Sequence, residues 1–120
     1  MNIIIKIENT GRQKVTWGGG VDIPIYRALE NHCEQRFAAK LRKANRKFVL
    51  PLYVYCMDKT GVDALAARRR LDISRTTWYR MKVAGEEIAT KTQRGKKFYN
   101  EIMQVIRQVV IKHKGFSFYD

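Results

Sequence analysis

The stretch VDALAARRRLDISRTTWYRMKVAGEEIATK, residues 62–91, reads as two helices around a tight turn. The first runs from Val62 to Arg70, Leu71-Asp72-Ile73 make the turn, and Ser74 opens the second, which runs to about Lys91. Ser74 suits an N-cap, because its hydroxyl can accept from the unpaired amides of the following turn. Thr77, Trp78, Met81 and Ile88 then form an apolar stripe along the second helix. On the first helix, Val62, Leu65, Ala66 and Leu71 are expected to face the core. Thr60 or Asp63 can cap that helix.

Outside the stripe lie Ser74, Arg75, Thr76, Tyr79, Arg80 and Lys82. A helix with short hydroxyls at its start and Arg, Tyr and Lys further along can enter a DNA major groove. The expected base-reading set is Ser74, Arg75, Thr76, Thr77, Tyr79 and Arg80, with the two threonines at the groove mouth. Arg68, Arg69, Arg70 and Lys82 are the nearby candidates for phosphate contact. The plainer reading of the same pattern is an amphipathic helical hairpin with a solvated basic face.

At residues 65–81, LAARRRLDISRTTWYRM, the chain resembles the helix-turn-helix superfamily, and DISRTTWYR looks like the start of many recognition helices. The wider 50–90 stretch is similar in layout to region 4 of bacterial sigma factors. In a small basic chain it also resembles the Q-type late-gene antitermination proteins of lambdoid phages. That resemblance implies a module that binds DNA near a promoter and joins the transcribing RNA polymerase. One departure stands out: the usual small residue five before the Ile of the turn is Arg68 here, with Ala66 and Ala67 slightly early.

The whole chain supports an affinity for polyanions. Its 120 residues hold 24 Lys and Arg against 11 Asp and Glu, a net charge of +13, spread along most of the sequence. Nucleic acid is the commonest partner for such a charge. An anionic membrane surface would suit it too, but no segment approaches the length of a spanning helix. The start, MNIIIKIENTG, lacks a basic n-region and a cleavable apolar segment, so a cytoplasmic location is expected. Cys33 and Cys56 belong to no CxxC pair and read as two buried free thiols. His32 and Cys33, being adjacent, point to different faces of a helix, which argues against zinc. No carboxylate or histidine constellation suggests catalysis, so no enzyme activity, cofactor or metal is expected.

The remaining segments arrange themselves around the hairpin. Residues 1–20 read as an N-terminal β-hairpin arm, with IIIKI and KVTW around Asn9-Thr10-Gly11. Gly18-Gly19-Gly20 lacks the spacing and the lysine of a phosphate-binding loop. The helical domain spans 21–115, and HKGFSFYD ends in a 116–120 aromatic tail. That tail is either docked or carries partner-binding aromatics. Asp22 and Pro24 start a helix expected to reach about Asn45, with Ile25, Leu29, Cys33, Phe37 and Leu41 every four residues. Its last part carries Arg36, Lys40, Arg42, Lys43, Arg46 and Lys47 without an acid, beyond what a helix C-terminus needs. Arg36, Lys40, Lys43, Arg46 and Lys47 join the expected backbone contacts.

FVLPLYVYCM, residues 48–57, could be a buried strand by composition, but the DKTGVDALAA pattern that follows points to a core helix. Pro51 is tolerable in its first turn, with Tyr53 and Tyr55 in the core or at its rim. Gly95 is expected to break helical structure before a last helix from about Phe98 to Lys112. That helix is apolar on a broad side (Phe98, Ile102, Val105, Ile106, Val109) and would pack across the domain or a dimer seam. The expectation is a mainly α helix-turn-helix protein that binds double-stranded DNA and regulates transcription. Its further candidate partners are RNA polymerase and a second copy of the chain. The rival reading is an adaptor that uses the same basic surface for a protein or structured RNA.

Overall fold

In the computed structural model, residues 22–114 are described, and they are mainly helical. The helices are α1 (Asp22–Phe37), α2 (Val49–Lys59), α3 (Ala64–Leu71), α4 (Arg75–Lys91) and α5 (Gln93–Lys114), with a 3-10 turn at Leu41–Lys43 between α1 and α2. The expected β-hairpin arm and the 116–120 tail lie outside the described residues, and no strand occurs among those described.

The centre is α2, apolar on every side, as expected of a helix enclosed by others. Leu50, Leu52, Tyr53, Val54, Cys56 and Met57 are all fully buried. Pro51 sits in the first turn, where its missing N–H breaks no bond. The helix closes with the Thr60 hydroxyl donating to the Cys56 carbonyl at 2.8 Å. Gly61 then takes φ +82°, and the Val62 N–H reaches back to the Met57 carbonyl at 3.0 Å. That is a Schellman ending, which needs a residue free to enter the left-handed region.

The four-residue stripe of α1 behaves as expected at Ile25, Leu29 and Cys33, all buried. The helix does not run to Asn45, however. It ends at Phe37, Ala38 takes φ +54°, and the chain turns through Leu41–Lys43. Continuing the helix would have stacked Arg36 with Lys40, Arg42 with Arg46 and Lys43 with Lys47 at i,i+4, each a repulsive pair. The turn separates those charges and still buries Leu41 and Ala44. Asn45 caps the approach to α2: its Oδ1 accepts from the N–H groups of Lys47 (2.8 Å) and Phe48 (3.1 Å).

α3 is turned from the expected phase. Leu65 is 45 % exposed and Ala66 is also exposed, whereas Ala67 and Leu71 are buried. The helix begins at Ala64, so Val62 buries from the preceding loop and does not set the helical phase. Ala67 is thereby the small residue of α3 that faces inward. Asp63 holds the cap position but its side chain makes no capping bond.

The last helix starts earlier than expected, and Gly95 lies within its first turn. Thr92 serves two helices. Its N–H donates to the Ile88 carbonyl of α4 at 3.3 Å, and its hydroxyl accepts from the Gly95 N–H of α5 at 2.9 Å. A methyl group at Gly95 would collide with the Ile88 carbonyl and lie 2.6 Å from Ile88 Cγ2. Glycine is there to let two helices meet, not to end one. Along α5, Phe98, Ile102, Ile106 and Val110 are buried.

Candidate nucleic-acid interface

The turn between α3 and α4 is short, with Asp72, Ile73 and Ser74 between the two helices. Asp72 takes φ +59°, a left-handed conformation that Asp tolerates better than most residues. The Ile73 N–H donates to the Arg68 carbonyl at 3.1 Å, closing α3. Ser74 is the N-cap of α4: its hydroxyl accepts from the Thr77 N–H at 3.1 Å and donates to Thr77 Oγ1 at 3.0 Å.

From that turn α4 presents two different faces. Trp78, Met81, Gly85 and Ala89 are buried, and Ile88 is half-buried. The helix lies chiefly on α2, where Gly85 makes the close approach. A methyl group there would collide with the Pro51 carbonyl and sit 2.7 Å from Tyr55 Cβ. The outer face shows Arg75, Thr76, Tyr79 and Arg80, all exposed, together with Val83. Tyr79 is 61 % exposed and Val83 42 %, large for apolar surface on a helix so firmly seated. Ser74 and Thr77, expected beside them, have their hydroxyls engaged with each other in the cap, and Thr77 is half-buried. Val83 completes the outer face and was not among the residues singled out from the sequence.

Charge is unevenly spread along α4. Its N-terminal half carries Arg75, Arg80 and Lys82 with no acid, while Glu86 and Glu87 occupy the C-terminal half. Glu87 pairs with Lys91 at 3.7 Å within the same helix. The helix dipole adds positive potential at the same N-terminal end. Lys82 sits on the flank, its Nζ 3.9 Å from Asp58 Oδ2 and 5.1 Å from the Tyr79 ring centre.

The basic run that precedes α2 is divided between three places. Arg42, Lys43 and Arg46 line a shallow depression together with Leu71 and Asp72, beside the turn that launches α4. Lys40 and Arg42 line a second with Arg70, Glu30, Asn31 and Glu34. Lys47 is exposed, as is Arg69, and Arg68 is half-buried. Arg36 is diverted to the far side, where its Nε donates to Glu101 Oε2 at 3.0 Å. Arg70 lies over the Tyr26 ring at 5.1 Å, and burial pushes the Tyr26 hydroxyl up to about 12, so it stays protonated.

Elsewhere the titratable groups are structural. His32 is bonded to the Tyr53 hydroxyl at 2.5 Å through Nδ1 and to Glu101 Oε2 at 2.6 Å through Nε2. This joins α1, α2 and α5. Burial pushes Tyr53 and both thiols upward, which keeps Cys33 and Cys56 neutral and unreactive. Among the described residues no cluster of His, Cys, Asp and Glu has metal-binding form, and no helix is long and apolar enough to cross a membrane. No family model, curated protein or solved structure matches the chain.

Proposed function

We propose that this protein is a sequence-specific, double-stranded DNA-binding transcription regulator that inserts the first half of α4 into a major groove. The observation that carries this reading is the two-sided character of α4. Its inner face is clamped on α2, and its outer face offers Arg75, Thr76, Tyr79 and Arg80 in an acid-free half next to Arg42, Lys43 and Arg46. Arg can take guanine edges bidentately, and the apolar Tyr79 and Val83 suit thymine methyl groups. Glu86 and Glu87 would be repelled by phosphates, so the second half of α4 is expected to leave the groove. The resemblance to the antitermination proteins supports the finer reading, late-gene antitermination with RNA polymerase as the second partner.

Selection from random duplexes, followed by salt titration on the preferred site, tests this reading. Arg80→Ala is expected to weaken the preferred site by about 1–3 kcal/mol and scrambled DNA much less. Equal losses on both would reduce Arg80 to a phosphate clamp. Replacing Lys40, Lys43 and Lys47 together by Gln is expected to weaken both duplexes alike. It should flatten the log–log salt slope by up to about three units. An unchanged slope, with loss of polymerase in a pull-down, would favour the adaptor reading instead.

A further inference from the structure

A groove opens between the end of α1, the start of α2 and the first turns of α5. Arg36, Phe37, Phe48, Arg94, Lys97 and Phe98 line it, with Glu101 on its wall. Its volume of about 410 Å³ lies within the range of small-ligand sites. These residues come from three segments far apart in sequence, so the groove is a product of the fold.

Its chemistry is layered. Phe98 is buried and takes Phe37 edge-on at 5.5 Å, while Phe48 lies nearly parallel to it at 6.1 Å and 15°. The Arg94 guanidinium lies over Phe48 at 4.2 Å, and that of Arg36 over Phe37 at 5.1 Å. Both guanidinium carbons therefore sit within cation–π range of a ring. A planar guanidinium can also stack a second flat group on the side away from a ring and offer N–H groups to oxyanions. The groove's carboxylate, Glu101, is already engaged by Arg36 at 3.0 Å and His32 at 2.6 Å. Arg94 and Lys97 are exposed and have no ion-pair partner among the described residues.

Arginines seated over aromatic rings beside a free lysine favour a ligand that combines a flat ring with negative charge. An acidic peptide would use the charges but not the stacking faces. A duplex would use the charges but keeps its bases inside its own stack. An unpaired nucleotide uses both. The groove also lies toward the opposite end of α4 from Arg75, a span of about 25 Å for a helix of 17 residues. We propose that this groove binds single-stranded nucleic acid, with one unpaired base stacked against Arg94 and Phe48 and its phosphates held by Lys97.

The test uses the full chain and fluorescence anisotropy with labelled oligothymidylate, oligouridylate and an abasic strand of equal length. Strands with bases should bind about tenfold or more tighter than the abasic strand, the size of one stacked base. Oligodeoxyuridylate, compared with oligouridylate, changes the sugar alone and identifies which sugar is preferred. Arg94→Gln, an exposed change, should remove most of that advantage while leaving duplex affinity unchanged. Phe48→Leu should act likewise. Arg80→Ala should leave single-strand affinity intact. Equal binding of base-bearing and abasic strands would overturn the proposal, as would an Arg94→Gln protein that binds single strands normally. A loss of single-strand binding in Arg80→Ala would place those strands on α4 and overturn it too. Each overturning outcome is read on single strands alone, so the two functional proposals fail separately.

Discussion

α3 and α4 meet at one turn, but α3 spans 8 residues and buries Ala67 and Leu71, whereas α4 spans 17 and buries Trp78, Met81, Gly85 and Ala89. α3 touches α4 sparingly; α2 is what α4 lies on. The pose of the outer face of α4 is therefore set from beneath, by the crossing with α2, and only its starting point is set by the hairpin. A short helix with three consecutive arginines adds charge beside the turn without having to support it.

The difference can be broken at its strongest point first. Trp78→Ala removes the largest side chain on the inner face of α4 and should cost about 3–5 kcal/mol in chemical denaturation. A domain of this size has little more than that to lose. A variant that melts normally yet no longer binds duplex DNA would mean that Trp78 belongs to the outer face. Gly85→Ala is the sharper test of the crossing itself. In a solvent-facing helical position this change would stabilise by up to about 1 kcal/mol. Here the added methyl group meets the backbone of Pro51, and a loss of about 1–3 kcal/mol is expected, with weaker duplex binding as α4 lifts. A gain in melting temperature would show that α4 is not seated on α2. Leu65→Ser, on the exposed side of α3, should change stability by no more than about 0.5 kcal/mol. A large loss there would show that α3 carries weight that its two buried side chains do not suggest.

The same contrast explains what the sequence could reveal. α4 was legible because Ser74 marks its start and its inward residues recur over several turns, a local pattern that tertiary packing reinforces. α2 was legible as a core helix only through the DKTGVDALAA pattern that follows it, since its apolar run alone also suits a buried strand. α3 is too short for periodicity to fix its phase, and Val62, buried from the loop, pulled the reading toward Leu65 and Ala66. The end of α1 was hidden because Leu41 continues the four-residue stripe, although the like charges between Arg36 and Lys47 already argued against a helix. Gly95 carries the opposite lesson: a residue that ordinarily weakens a helix is required by a neighbour, Ile88, through the close approach of α4 and α5. Arg42, Lys43 and Arg46 line one depression with Leu71 and Asp72, a placement that the one-sided charge of the run hinted at without fixing. The groove was not, because nothing local in Phe37, Phe48 or Arg94 announces that the fold will stack them.

Thr92 has a consequence for how the two surfaces relate. It stands alone between α4 and α5, with φ −123° and ψ 146°, so a single pair of soft dihedrals sets the angle between those helices. The contact of Gly95 with Ile88 closes off much of even that freedom. The outer face of α4 and the cationic groove at the head of α5 are in effect two ends of one bent rod. Strands engaged at both ends would meet a separation fixed when the chain folded, with little orientational entropy left to lose on binding. A longer linker would have let each end find its ligand independently. This junction instead favours ligands already spaced to match it.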